Sequence, residues 1–354
     1  MSLPSLGQPF LTGFVPTPVG KVPRVYSELS VADRIGGFEA RWSIGRMHYT
    51  VEPGLYALGN PGKDGPIFVT ANYKMSFDSL RNSLPGRSGW ILVLDTKGIN
   101  VWCAAGKGTF GTAELVRRIE MSGLKDIVTR RELILPQLAA PGVAAHLAKK
   151  LSGFKIVYGP IRAKDLPAFL DARMSATPEM RIKTFPFWER LVLIPVELVS
   201  ALKAAAVLLP LLFVLSGLLG RGEFLSSGLE HAKTFVPAVL LAILGGAVLT
   251  PMLLPRLPGR AFSIKGLLPG LLCAAFLLIL RLPDTAGSMG TGIGTAAWML
   301  LTVVLSTYLS MNFTGASTYT SLSGVRKEMR QAVPLQVAGG VIGIGLWIYS
   351  LLAF

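Results

Sequence analysis

The stretch Trp90-Ile91-Leu92-Val93-Leu94-Asp95 carries the strongest strand signal in the chain. Consecutive aliphatic residues bounded by turn-forming residues are typical of a strand that is buried on both faces, as in a parallel sheet. The next pattern, at 112–121, is typical of a helix with one apolar side, and the hydroxyl of Thr112 is expected to cap it. A buried strand followed by such a helix is the unit from which parallel α/β sheets are built.

Strand and helix patterns alternate on both sides of this stretch. Further strands are predicted at 67–70, 126–128, 133–135 and 154–157, and further helices at 75–84, 143–151 and 166–172. This alternation predicts a Rossmann-like α/β domain with a parallel sheet. Ligands of such domains bind beyond the carboxyl ends of the strands, so the segment after Asp95 is the first candidate for a functional site.

The composition changes near residue 190. The whole chain is 51% hydrophobic and 16% charged, and 15 of its 20 Asp and Glu residues precede Arg190. Soluble domains carry about a quarter charged residues, so part of this chain avoids water. A helix needs roughly 20 apolar residues to cross a bilayer. Five segments approach that requirement and predict an all-α transmembrane domain, with spans near 199–219, 235–254, 267–282, 295–311 and 333–352.

These contrasts divide the chain into four predicted parts. They are an N-terminal segment packing on the soluble domain (1–60), the α/β domain (61–175), a linker or interfacial segment (176–190) and the transmembrane domain (191–354). Basic residues gather before the first span and in the second–third and fourth–fifth connections: Arg181, Lys183, Arg190, Arg256, Arg260, Lys265, Arg326, Lys327 and Arg330. The positive-inside rule then predicts a multi-pass protein of the inner (cytoplasmic) membrane, with the soluble domain in the cytoplasm and the C-terminus outside.

Charge and cysteine content argue against several classes of function. The net charge of +15 would suit nucleic-acid binding, but the basic residues form no single stripe with interleaved aromatic residues, so no nucleic-acid partner is expected. The spans are almost free of the ionisable groups that transport sites usually carry, which favours an anchor or docking platform over a transporter. The two cysteines, Cys103 and Cys273, cannot form a disulfide framework or hold a four-cysteine iron–sulfur cluster by themselves.

The glycine-rich segment 96–111 suggests two nucleotide-binding motifs, and neither fits. Gly106, Gly108 and Gly111 form a GxGxxG pattern, but the dinucleotide motif needs its first glycine directly after the strand, and about ten residues intervene here. The pair Gly106-Lys107 resembles part of a P-loop. That motif also requires a glycine where Val101 stands and a Ser or Thr directly after the lysine.

A third interpretation of the segment is a short helix that presents the thiol of Cys103 to a flat ligand. Ala104, Ala105 and Gly106 follow the cysteine, so nothing bulky would prevent the close approach of a large planar face. The alternative from the residues alone is a buried structural cysteine.

The octapeptide Asn100-Val101-Trp102-Cys103-Ala104-Ala105-Gly106-Lys107 resembles the cap-helix signature of the HgcA family, the corrinoid proteins of microbial mercury methylation. The soluble domain also resembles the corrinoid-binding domain of the large subunit of the corrinoid iron–sulfur protein of the acetyl-CoA pathway. The stretches 69–73 and 134–142 are similar to other parts of that pattern. The family architecture, a corrinoid domain followed by about five spans, matches the predicted organisation.

The resemblance implies a corrinoid-dependent methyltransferase that converts inorganic Hg(II) to methylmercury. Its cofactor would be a cobalamin-type, base-off corrinoid, and the thiolate of Cys103 would be the lower axial ligand of the cobalt. A soft, donating ligand of this kind favours release of the methyl group as a carbanion equivalent or radical. Asn100, Trp102 and Lys107 would hold the cap helix. The remaining expected cofactor contacts are Thr70, Asn72, Val101, Ala104, Ala105, Gly106, Gly108, Thr109, Leu135, Pro136 and Gln137.

The resemblance also implies partners. These are HgcB, a ferredoxin-like protein with [4Fe–4S] clusters, as electron donor, a methyltetrahydrofolate-linked methyl donor, and Hg(II) as substrate, next to the lipid bilayer. Two alternatives stay open. One is a membrane-anchored corrinoid methyl carrier of one-carbon metabolism that is unrelated to mercury. The other is a membrane transport or scaffold protein with a nucleotide-binding regulatory domain, which would tolerate Cys103→Ala.

Overall fold

A computed structural model describes residues 2–285, 289–314 and 322–354. The chain separates into two compact units. The first, here called the α/β unit, comprises the residues up to Ala40 and Ile44–Lys183. The second, here called the helical unit, comprises Arg41–Ser43 and Thr184–Phe354. The structure thus confirms the predicted fold class, an α/β domain followed by an all-helical part.

The α/β unit is built on one mixed sheet. Its strands are β1 (Gly13–Thr17), β2 (Gly20–Val25), β3 (Gly54–Leu58), β4 (Ile67–Ala71), β5 (Gly89–Leu94), β6 (Glu132–Leu135) and β7 (Lys155–Tyr158). Their order in the sheet is β1-β2-β3-β5-β4-β6-β7. The predicted parallel arrangement holds for β5, β4, β6 and β7, whereas β3 is antiparallel to β5. The strands β1, β2 and β3 come from the first 58 residues, which the sequence analysis set apart as an N-terminal segment.

Seven helices accompany these strands. They are α1 (Val31–Arg41), α2 (Lys74–Asn82), α3 (Val101–Lys107), α4 (Thr112–Met121), α5 (Leu124–Ile127), α6 (Ala145–Ser152) and α7 (Leu166–Asp171). The sheet is buried on both faces because alternate residues of a strand point to opposite sides. Leu92 and Leu94 of β5 join one core with residues of α3, α4 and α6, whereas Ile91 and Val93 join the other core with residues of α2 and α7. Burial of each such side chain stabilises the fold by about 1.5–3 kcal/mol.

Two local predictions were wrong. Residues 126–128 form no strand, because Leu124–Ile127 is a helical turn that begins after Gly123 at φ 62°. Leu124 and Ile127 are both buried, and this three-residue spacing belongs to one side of a helix rather than to a strand. The bounds of α4 are those predicted, but Gly111 precedes the helix and Thr112 is its first residue. The hydroxyl of Thr112 instead accepts the N–H of Ala144 at 2.9 Å.

The helical unit contains α8 (Phe187–Leu191), α9 (Ile194–Leu219), α10 (Phe224–Ile243), α11 (Thr250–Leu253), α12 (Phe262–Thr285), α13 (Met289–Met311) and α14 (Leu322–Ala353). Within the described ranges, five helices are long and apolar enough to cross a membrane: Phe187–Leu219, Phe224–Leu253, Phe262–Thr285, Met289–Met311 and Ser323–Ala353. Small residues bring α12 close to α13, since the hydroxyls of Ser306 and Ser310 donate to the carbonyls of Gly266 and Phe262. Such packing is typical of helices in lipid.

Candidate functional site

The candidate site lies at the carboxyl edge of the parallel strands. The chain places β5 on one side of β4 and β6 on the other, so the strand order reverses at β4. In open α/β sheets ligands bind at such a reversal, beyond the carboxyl ends of the strands. Asn72, Asp95 and Pro136 directly follow β4, β5 and β6. The structure therefore brings the segments that hold most of the predicted site residues to one edge.

The side chain of Asn72 holds the loop between β5 and α3. Its amide oxygen accepts hydrogen bonds from the Thr96 N–H (3.1 Å), the Thr96 hydroxyl (2.8 Å) and the Gly98 N–H (2.9 Å). Gly98 has φ 71°, and a Cβ there would lie 2.9 Å from the methyl carbon of Thr50. Only glycine fits both conditions without strain. Asn72, predicted as a cofactor contact, thus has its oxygen engaged in positioning the loop.

Replacing Asn72 by alanine is expected to loosen this loop while the sheet remains folded. The Thr96 and Gly98 donors would lose their acceptor, and an unsatisfied buried group costs about 1–3 kcal/mol. Hydrogen–deuterium exchange of a peptide spanning 96–100 should therefore accelerate at least about tenfold. Asn82→Ala, at the exposed end of α2, is the matched control. Unchanged exchange in Asn72→Ala would show that the loop does not depend on this side chain.

Helix α3 has defined ends. The Asn100 side chain caps its first turn by accepting the Cys103 N–H at 3.0 Å. Gly108 ends the helix at φ 80°, a left-handed conformation that favours glycine. On the inner side Val101, Ala104 and Ala105 are buried in the core. Short side chains here let the helix lie close to the sheet.

The other side of α3 carries the thiol. Cys103 is a free cysteine and half-buried, and Gly106 and Lys107 in the next turn are exposed. A Cβ added at Gly106 or Gly108 would meet nothing within 4 Å. In the part of the chain that the structure describes, no three His, Cys, Asp or Glu residues gather as ligands for a metal ion. The site therefore offers one sulfur donor, with open space at Gly106 in the next turn.

The segment after β6 packs directly against α3. A Cβ at Gly142 would lie 2.1 Å from the Phe110 carbonyl oxygen and 3.1 Å from the Ala105 Cα, so the two backbones touch at this point. The Gly142 carbonyl also accepts the N–H of Thr112 at 3.2 Å. The octapeptide and the stretch 134–142, singled out separately in the sequence, are thus neighbours in the fold.

Some predicted cofactor contacts have other roles in this structure. Thr70 and Leu135 are buried within β4 and β6, and the Leu135 side chain belongs to the core. The amide oxygen of Gln137 accepts a hydrogen bond from the guanidinium of Arg181. The hydroxyl of Thr109 donates to the Ala104 carbonyl at 3.4 Å. Trp102 is half-buried, as are Pro136 and Thr109.

Sequence reasoning missed Thr96. Its hydroxyl lies within hydrogen-bond distance of two acceptors, the Asn72 amide oxygen and, at 2.7 Å, the Ile99 carbonyl. The only local signal was the Lys97-Gly98 turn beside it. Asp95, at the start of the same loop, pairs with Lys97 at 2.8 Å. Burial alone would raise the pKa of Asp95, but the hydrogen bonds from Lys97 outweigh it and lower the pKa. The carboxylate is therefore held ionised beside the loop.

Comparison with known proteins shows that part of the α/β unit is similar to subunits of acetyl-CoA-forming and -cleaving complexes as those subunits are described. Residues 44–170 match the sequence model of a family described as CO dehydrogenase/acetyl-CoA synthase delta subunit. The chain is 32% identical over 128 residues to the acetyl-CoA decarbonylase/synthase complex subunit gamma of Archaeoglobus fulgidus, which covers 36% of this chain and 27% of that protein. It is 35% identical over 97 residues to the subunit gamma of Methanocaldococcus jannaschii. That alignment covers 27% of this chain and 20% of the relative.

The subunit gamma of Methanopyrus kandleri is similar at 32% identity over 124 residues, or 34% of this chain and 26% of that protein. The chain thus spans about a quarter of the length of these curated relatives. The family match lies within the α/β unit and includes α3 with Cys103. The α/β unit is therefore related to subunits of acetyl-CoA decarbonylase/synthase complexes.

Proposed function

We propose that the α/β unit binds a corrinoid through α3 and that the chain transfers the methyl group of this cofactor to inorganic Hg(II). The observation that carries the proposal is the half-buried thiol of Cys103 with open space at Gly106, one turn along the same helix. A corrin ring supplies four nitrogen ligands to its cobalt, so one axial donor from the protein is sufficient. A planar ring also needs room to approach the helix, and a Cβ at Gly106 or Gly108 would meet nothing within 4 Å. The residues present fit this cofactor.

The chain's own residues would hold and orient the sulfur. The Asn100 cap fixes the first turn of α3 and with it the backbone of Cys103. Asn72 holds the loop that leads into the helix, and the contact at Gly142 supports its other end. Such supporting groups tune a metal by fixing its ligand. When bound, the corrinoid would supply a cobalt centre that accepts and releases a methyl group, and the thiolate of Cys103 would be its lower axial ligand.

The mercury-specific part of the proposal rests on the resemblance of the octapeptide 100–107 to the cap helix of the HgcA family. A second candidate function is favoured by the comparisons. The matched relatives are subunits of acetyl-CoA decarbonylase/synthase complexes. The sequence analysis likewise found that the soluble domain resembles a protein of the acetyl-CoA pathway. The chain would then be a membrane-anchored methyl carrier of one-carbon metabolism. The two functions differ in the methyl acceptor, so the product formed from Hg(II) decides between them.

The proposed setting is the cytoplasmic membrane. Five apolar helices would cross the bilayer, with the α/β unit in the cytoplasm and Phe354 outside, because the basic residues favour that orientation. Two cysteines cannot hold a four-cysteine cluster, so electrons for the cobalt would come from a separate protein, the ferredoxin-like HgcB of the resembling family. The methyl group would come from a methyltetrahydrofolate-linked donor in the same compartment.

Gly106→Leu tests the cofactor surface without disturbing the fold. A Cβ at this position meets nothing within 4 Å, and leucine is favoured over glycine in a helix by up to about 1 kcal/mol. The protein should therefore fold as before, but its affinity for added cobalamin should fall at least about tenfold, because the side chain would occupy the place of the ring. Equilibrium binding followed by visible absorption, with bound cobalt quantified, measures the effect.

Gly62→Leu is the matched control, since a Cβ at this loop glycine also meets nothing within 4 Å. It should leave cobalamin binding unchanged. Wild-type affinity in Gly106→Leu would place the cofactor elsewhere, and no bound cobalt in the wild-type protein would refute the proposed function.

A further inference from the structure

Helix α1 exposes large apolar residues and buries a charged residue, which is the reverse of an ordinary surface helix. Val31 and Ile35 lie one turn apart on its outer side, and they are 73% and 53% exposed. Asp33 and Ala40, on the opposite side, are the buried residues of the helix. A helix on the surface of a soluble protein normally buries its apolar side and exposes its polar side. This arrangement therefore needs a physical cause and an environment that tolerates it.

The cause is a set of contacts that hold Asp33 and its side of the helix against the rest of the α/β unit. The carboxylate of Asp33 accepts hydrogen bonds from the Lys74 ammonium at 2.5 Å and the Arg81 guanidinium at 2.7 Å. Gly36 lies against the ring of Tyr49, where a Cβ would be 2.7 Å away, and the Tyr49 hydroxyl donates to the Asp33 carbonyl at 3.1 Å. Rolling the helix to bury Val31 and Ile35 would break a buried ion pair. Their exposure is thus a fixed feature of the α/β unit.

The apolar surface continues beyond the helix. Ile44 and Met47 follow α1, and they are 60% and 69% exposed. Within the α/β unit the same surface carries two basic residues, Arg34 and Arg46. Its two acidic residues are the buried, paired Asp33 and the exposed Glu39. A helical segment with outward apolar residues and an excess of arginine has the composition of elements that lie in the plane of a membrane surface.

We propose that Val31, Ile35, Ile44 and Met47 of the α/β unit form an interfacial element that inserts between the lipid headgroups, and that Arg34 and Arg46 pair with anionic lipids. The inference rests on the proposed membrane anchoring of the helical unit. The α/β unit ends at Lys183 and the first membrane-length helix begins at Phe187. Three intervening residues reach at most about 14 Å, so the tether keeps the α/β unit beside the bilayer. The nearest partner with an apolar interior and anionic headgroups is therefore the bilayer itself.

The element borders the candidate site. The Met47 carbonyl and the Thr50 methyl group lie next to Gly98 in the loop before α3. Thr50 also pairs with Tyr73, directly beyond the carboxyl end of β4. Insertion of this element would thus hold the carboxyl edge of the sheet close to the membrane surface. Soluble methyl donors and acceptors would then have to reach the site along that surface.

Site-directed fluorescence in lipid tests the proposal on the full chain. Ile35→Cys and Met47→Cys are made singly in a Cys103→Ser background, labelled with bimane, and reconstituted into phosphatidylglycerol-containing nanodiscs. Cys273 is buried and should not react. Lys63→Cys is the control, because this exposed residue lies in the loop before β4, at the opposite edge of the sheet. Nitroxide-labelled lipid should quench the labels at 35 and 47 at least about twofold and leave the label at 63 nearly unchanged.

Iodide, a quencher that stays in water, separates the remaining outcomes. Quenching of the labels at 35 and 47 by iodide but not by nitroxide lipid would show a solvent-exposed surface and overturn the proposal. Protection from both quenchers would show that a protein partner or a second copy covers the surface, which also overturns it. If the chain fails to float with lipid vesicles, the membrane anchoring itself is wrong. Flotation without nitroxide quenching refutes only the interfacial element.

Discussion

Cys103→Ala is expected to lower methylmercury formation by at least about a hundredfold. Loss of a residue that only supports a metal ligand lowers metal affinity or activity by about 10–100-fold, and the ligand itself should matter at least as much. The reason is local: the variant removes the one sulfur on the outer side of α3 and leaves the Asn100 cap and the buried side of the helix intact. The protein should still fold, but the absorption spectrum of added cobalamin should lose its thiolate-ligated form. The measurement combines that spectrum with the methylmercury produced from an Hg(II)–thiol complex by the methyl-loaded protein.

Cys273→Ala is the matched control. This second cysteine is buried within α12 in the helical unit, so its removal should leave both the spectrum and the product unchanged. A wild-type protein with the thiolate-ligated spectrum but no methylmercury would favour the methyl carrier of one-carbon metabolism. Wild-type behaviour of Cys103→Ala in both measurements would show that the cysteine is structural and that the proposed mode of cobalt ligation is wrong.

The parts of the fold that could be predicted are those with a local signal. The strand at 90–95 and the helix at 112–121 each carry an apolar pattern within a few residues, and both appear at nearly the predicted positions. The strands β1 and β2 lack such a pattern, because Pro16 and Pro23 interrupt them and few of their residues are buried. Proline is tolerated near the edge of a sheet, where fewer backbone hydrogen bonds are needed. The place of β2 in the sheet follows from pairing with β3, about thirty residues away, and β1 is added by pairing with β2.

The same distinction applies to the candidate site. The capping residue Asn100 and the thiol of Cys103 lie three residues apart, so the octapeptide alone indicates their arrangement. The role of Asn72 depends on Thr96 and Gly98, which the sheet brings to it from more than twenty positions away. Sequence reasoning could name Asn72 as a site residue but could not tell ligand binding from positioning. The inward polar side of α1 was missed for the same reason, since Lys74 and Arg81 lie in another helix.

Arg81→Met is expected to destabilise the α/β unit by about 3–5 kcal/mol, because it breaks a buried ion network by removing one partner. The Arg81 guanidinium contacts Asp33 at 2.7 Å and Asp78 at 2.8 Å, and it also donates to the carbonyls of Tyr26 and Glu28. All three charged side chains are buried. Methionine fills a similar volume but removes one of the two cations, Lys74 and Arg81, that pair with these carboxylates. Pulse proteolysis of the full chain in nanodiscs, followed against urea, measures the loss.

Arg87→Met is the matched control, because its ion pair with Asp171 is exposed and such pairs contribute about 0–1 kcal/mol. The pH dependence supplies a second readout. Burial alone would raise the pKa of Asp33, but hydrogen bonds from Lys74, Arg81 and Ser30 outweigh it and hold the pKa far below its ordinary value of 3.8. A carboxyl whose pKa is lowered by folding stabilises the protein above that ordinary value, and this stabilisation is lost as the pH falls below it.

The urea midpoint of the wild-type α/β unit should therefore start to fall as the pH drops below about 5 and should keep falling below pH 3.8. The fall should be shallower in Arg81→Met, where Asp33 has lost one of its donors. Equal midpoints for Arg81→Met and Arg87→Met would contradict the network. The prediction also bears on the membrane element, since Asp33 anchors α1 from its inner side. If the network fails, the helix is free to turn, and the exposure of Val31 and Ile35 would no longer be imposed by the fold.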